Sequence, residues 1–99
     1  MNIGGVDTPF EQCDADTATV TTTGGTLAGV FTNLSYAKCR EVVLQNRGNV
    51  NLLVGPTTGA AKWRVLPGSV FNCAPKELAD VFIKAESGAG IAVDIFIAV

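Results

Sequence analysis

In the stretch Ile91–Val99 the residues Ile91, Val93, Ile95, Ile97 and Val99 fall on one face of an extended chain, and Ala92, Asp94, Phe96 and Ala98 on the other. A period of two belongs to a β-strand with one buried face. The same alternation recurs. Val42 and Leu44 oppose Glu41, Val43 and Gln45; further on come Val50, Leu52 and Val54, and then Val81, Ile83 and Ala85. Turn residues separate these runs: Asn46-Arg47-Gly48-Asn49, Gly55-Pro56, Pro67-Gly68 and Ser87-Gly88-Ala89-Gly90. Pro67-Gly68 predicts a type II turn, because Pro sets the first φ and Gly supplies the positive second one. Shorter strands are expected over 62–66 and 70–73. Only 74–79 offers a helical turn, too short to stand alone. Short strands between turns predict an all-β fold, an antiparallel β-sandwich or small jelly-roll-like barrel.

The first half is less regular. Residues 18–23 read as a Thr-rich strand, Gly24-Gly25 as a two-residue turn, and 26–32 as a returning strand with Leu27, Gly29 and Phe31 on one face. Residues 1–17 hold Gly4, Gly5, Pro9 and the acids Asp7, Glu11, Asp14 and Asp16, with Ile3, Val6 and Phe10 scattered among them in no period. They read as an N-terminal arm or loop segment ahead of a single sandwich domain over 18–99; a chain of 99 residues suffices for one core.

Composition narrows the chemistry. There is no His, which removes the commonest general base and a common zinc ligand. Cys13, Cys39 and Cys73 are an odd set, far apart, and read as reduced, half-buried thiols. No Cys-x-x-Cys pair or calcium loop is present, and Gly88-Ala89-Gly90 lacks the third Gly and following helix of a phosphate cradle. Asp14 and Asp16 read as a solvated acidic loop, Asp94 as a cross-strand partner of Lys84 or Arg40, and Asn33-Leu34-Ser35 as a chance glycosylation triplet. No catalytic, cofactor or metal residues are therefore assigned. A net charge of −2 leaves no excess of cations for nucleic acid. The first residues lack the charged and apolar regions of a signal peptide, and no apolar run reaches the ~20 residues of a membrane helix. The chain is expected to be cytosolic when made, without nucleic-acid or membrane partners.

Apolar character is in excess. The mean hydropathy is +0.34, with 47% hydrophobic and 16% charged residues. Val43, Leu53, Phe96 and Ala98 fall on the second faces of their strands. Either loops cover them or other subunits do; burial against copies of the same chain is the expectation. Edge strands with few Lys guards point the same way.

From residue 39 onward the order of elements is specific enough to compare. Cys39-Arg40-Glu41-Val42-Val43-Leu44-Gln45-Asn46 is followed by a short turn, Val50-Asn51-Leu52-Leu53-Val54-Gly55 and a polar loop. Then come Leu66-Pro67-Gly68-Ser69 with a short strand, Lys76-Glu77-Leu78-Ala79-Asp80-Val81-Phe82-Ile83, a Gly-x-Gly turn and a last apolar strand. This resembles the small β-sandwich virion proteins of tailed bacteriophages, most of all capsid decoration (cement) proteins. The similarity covers residues 40–99. It implies a structural protein without an active site, a homotrimer on the capsid exterior that binds the major capsid protein. Similar modules in tails and fibres give the alternative, recognition of a host glycan or a tail partner. The candidate contact residues are Ile3, Val6 and Phe10 in the arm, Trp63 with Arg64, and Phe96. Phe10 capping its own core, and Trp63 pointing inward between outward Lys62 and Arg64, are the structural alternatives.

Overall fold

The computed structural model describes residues 13–36, 38–56 and 61–98. They form eight strands: β1 (Cys13–Val20), β2 (Gly25–Thr26), β3 (Glu41–Asn46), β4 (Leu52–Pro56), β5 (Trp63–Val65), β6 (Val70–Cys73), β7 (Val81–Ala85) and β8 (Ile91–Ala98). A single turn of α-helix, α1 (Leu27–Val30), follows β2, and a 3-10 turn at Leu78–Asp80 precedes β7. One antiparallel sheet has the order β1-β8-β3-β6 and the other β2-β7-β4-β5. The pairs β1–β8, β2–β7, β3–β6 and β4–β5 are nested in sequence. That nesting is a long hairpin rolled up on itself, the jelly-roll arrangement. The all-β sandwich predicted from the alternation is the fold.

The alternation decides which face is buried. Val42 and Leu44 of β3, Leu52 and Val54 of β4, Ile83 and Ala85 of β7, and Ile91, Val93, Ile95 and Ile97 of β8 form one core between the sheets, with Val20, Leu27, Phe31, Val65 and Leu78. Val43, Leu53 and Ala98 are half-buried on the outer faces, and Phe96 is exposed there. The expected type II turn is present: Gly68 has φ +81, and Ser69 N donates to Leu66 O at 2.9 Å.

Asn46 is the buried polar residue of this core. Its amide donates to Val50 O at 2.8 Å and Val65 O at 2.9 Å, and its Oδ1 accepts from Gly48 N at 2.9 Å. One side chain thereby ties the β3–β4 turn to the end of β5. With its donors and acceptor occupied it escapes the cost of a buried unpaired amide.

Four expectations change. Residues 13–17, read as part of the arm, are strand: β1 runs from Cys13 to Val20 along β8. Residues 18–32 are not a hairpin, since β1 and β2 lie in different sheets. The strand expected over 26–32 is mostly α1, capped by Thr26 Oγ1 accepting from Gly29 N at 3.1 Å. Leu27 and Phe31 are four residues apart, a spacing that shares a face in a strand and in a helix alike, so periodicity could not separate the two. The helical turn expected at 74–79 is displaced to Leu78–Asp80.

Candidate functional site

The sandwich has two open sides, where β1 faces β2 and where β6 faces β5. On the first side, α1 touches β1, β2, β7 and the 3-10 turn and inserts Leu27, with Phe31 just after it, into the core. The segment after α1 is held by the two acids that the sequence suggested were solvated. Asp14 and Asp16 lie opposite Ile97 and Ile95 in the register, on the core-facing side of an edge strand. Asp14 accepts from Ser35 N at 2.8 Å. Asp16 accepts from Asn33 N at 3.2 Å and from the Asn33 side chain at 3.3 Å. The Ser35 N–H, and after it the Ala15 N–H, hold the Asp14 carboxyl below its ordinary value of 3.8. Desolvation pushes Asp16 up, but the Thr17 N–H and the Asn33 amide outweigh it and hold that carboxyl low as well. Asn33, the first residue of the glycosylation triplet, is thus engaged in this latch. Inward acids also guard an edge strand against pairing with another chain.

Among the described residues the second side has no comparable latch. Trp63 lies opposite buried Val54, so its position is the core-facing one, with Lys62 and Arg64 flanking it. Its ring meets Phe71 of β6 across the gap between the sheets, centroids 6.4 Å apart and planes tilted by 47°. Yet Trp63 is 66% exposed, with Leu66 at 59% and Val70 at 55% nearby along the β5–β6 connection. Arg64 points the other way: its Nε donates to Glu86 Oε2 at 3.1 Å, while Asn51 donates to Glu86 Oε1 at 2.8 Å. These two donors, Asn51 first, hold the Glu86 carboxyl below its ordinary value of 4.5.

The outer face of the β1-β8-β3-β6 sheet carries two rows of cross-strand neighbours. One runs Thr17, Asp94, Gln45, Val70 and the other Ala15, Phe96, Val43, Asn72. All of these but Asn72 line a shallow depression of about 610 Å³. Thr17 Oγ1 donates to Asp94 Oδ1 at 2.7 Å, and Arg47 Nη1 lies 3.2 Å from Asp94 Oδ2. The partners of Asp94 are therefore Thr17 and Arg47, not Lys84 or Arg40. The face offers a positioned carboxylate, a guanidinium, a hydroxyl and an amide beside an apolar wall. It can bind by hydrogen bonding and contact.

The sequence-selected contact residues do not form one site. Trp63 and Arg64 share β5 but point to opposite faces, and Phe96 lies on the other sheet. Ile3, Val6 and Phe10 lie outside the described residues. Phe71 joins Trp63 on the open side, and Leu66 and Val70 are exposed along the connection between β5 and β6; the only sequence signal for them was their position on either side of the Pro67-Gly68 turn. All three cysteines are half-buried, and no disulfide joins them. Desolvation pushes the Cys39 and Cys73 thiols up, away from the reactive thiolate. Among the described residues no group of three or more His, Cys, Asp or Glu is placed to hold a metal ion. Compared with protein-family models, with curated proteins and with solved structures, the chain matches none.

Proposed function

We propose that this chain is a structural virion protein, a decoration protein that stabilises a phage head by binding its capsid subunits and that works through surface contact, without catalysis. The observation that supports this reading is the open β5–β6 side, where Trp63 stands in solvent, with Leu66 and Val70 exposed along the connection from β5 to β6, while the opposite side is sealed by its own chain. Trp is the residue type most enriched where protein interfaces concentrate their energy. A jelly-roll frame is in keeping with the proposal, since viral capsid domains use it, although lectins and cupins do too. The major capsid protein is the proposed partner, and the arm residues Ile3, Val6 and Phe10 a second proposed contact. The test is binding of the purified chain to assembled phage heads, read by co-sedimentation and by imaging of the particles. Density on the head exterior that weakens when residues 1–10 are deleted supports the proposal. Heads that leave the chain in the supernatant end it.

A tail or fibre module is the second reading, favoured by the depression on the outer face. Asp94, Arg47, Thr17 and Gln45 supply acceptors and donors of the kind sugar hydroxyls use, beside apolar Val43 and Val70. Reproducible hits on a glycan array, lost in Asp94→Ala, would move the assignment there.

A further inference from the structure

Each sheet ends in two edge strands, and the four edges differ in what they would oppose if they met a second copy of the chain. About a two-fold axis a strand runs antiparallel to itself, so a charge near its centre meets the same charge. β1 carries Asp14 and Asp16, and β5 is centred on Arg64. β2 is only Gly25–Thr26. β6 is Val70-Phe71-Asn72-Cys73, with no charge, no Pro and no Gly, and among the described residues it pairs with β3 alone. An uncharged, apolar edge of this kind is a template for another strand.

The ladder also shows which groups are on offer. Asn46 N donates to Ser69 O across the start of the β3–β6 pairing at 3.1 Å. Hydrogen-bonded and non-bonded pairs alternate along an antiparallel ladder. Phe71 and Cys73 therefore face β3 with their backbone groups, and Val70 and Asn72 turn theirs outward.

We propose that β6 pairs with β6 of a second copy about a two-fold axis centred on Phe71, joining two four-stranded sheets into one continuous sheet. Val70 and Asn72 exchange their outward N–H and C=O groups with Asn72 and Val70 of the other copy. Phe71 then meets its own equivalent at a close, non-bonded pair on the core-facing side. Trp63, already against Phe71, closes over the same contact and loses its exposure to water. A two-fold pair differs from the trimer that the resemblance implies, and it stands independently of any virion role.

Light scattering on a size-exclusion column at tens of micromolar is the test. The expected mass is twice the 10.2 kDa of one chain. Asn72→Pro removes an outward donor that the β3 ladder does not use, a position where an edge strand tolerates Pro, and is expected to run as a single chain with unchanged circular dichroism. Trp63→Ser is expected to weaken the pair roughly tenfold or more. If Asn72→Pro does not fold, amide exchange decides: the Val70 and Asn72 amides are expected to be protected in the wild type and to lose protection in Trp63→Ser or on dilution. A wild type that is monomeric at this concentration, an odd-numbered assembly, or a dimer unaffected by these changes overturns the proposal. A single-chain variant that still sediments with heads separates this pairing from the decoration reading.

Discussion

Phe31 and Trp63 are both large aromatic residues near an open side of the same sandwich, and they meet different fates. Phe31 is 1% exposed and Trp63 66%. On Phe31's side a helical turn folds into the gap, and Asp14 and Asp16 hold the following segment by its backbone N–H groups. On Trp63's side a tilted ring contact spans the gap among the described residues. A sandwich must stop water reaching its core from both sides, and this chain completes only one of the two seals from the elements described. The unfinished side is the one to which contact function is best assigned, because burial there still has free energy to release.

The contrast is broken most severely at the sealed side. Phe31→Ala is expected to cost about 3–5 kcal/mol, the usual cost of emptying an aromatic site in a core, read as a lowered denaturation midpoint. The next largest effect tests what holds the other side in place. Asn46→Ala leaves the carbonyls of Val50 and Val65 and the N–H of Gly48 without their present partner, and about 2–3 kcal/mol is expected. Amide exchange should speed up selectively in the turns after β3 and β5.

The carboxylate latch is probed by pH. Both acids are held below their ordinary value in the folded chain. Their contribution is therefore fully present above the unfolded value, near 3.8, and is lost as the pH falls through the folded values. The double change Asp14→Asn, Asp16→Asn should lower stability at pH 7, and the gap from the wild type should close as the pH drops below about 4. A gap independent of pH would show that the latch is not electrostatic. The smallest effect is expected from Trp63→Ser, measured on the dilute monomer: within about 0.5 kcal/mol, as for an exposed position. A large loss there would mean that Trp63 seals its own core and that the two sides are alike.

Legibility followed the range of the interactions. The strands β3, β4, β7 and β8 could be read because a buried face imposes its period on the local sequence, as at Val42 and Leu44 or Ile91 to Ile97. The region before residue 40 could not, for two reasons. Leu27 and Phe31 satisfy a strand and a helical turn equally. Asp14 and Asp16 take their meaning from Asn33 and Ser35, partners that only the folded chain brings to them. The inward register of Trp63 was visible from its neighbours, but its exposure was not, since that depends on a gap between two sheets. The outer-face group of Thr17, Asp94 and Arg47 was missed in the same way: it joins β1, β8 and the turn after β3 with no shared motif.

The nested pairing has a kinetic consequence. Leu52 and Val65, at the centre of the nest, are close in sequence, whereas Cys13 and Ala98 on the outermost pair are nearly a chain length apart. Loop closure over such distances is slow and is rewarded only after inner pairs exist. Folding is expected to start at β4–β5 and to finish when β1 zips onto β8, so that Asp14 and Asp16 engage Ser35 and Asn33 last. Until that final step β8 is a long, apolar, unpaired edge, and a newly made chain is at its most aggregation-prone in the interval before β1 arrives.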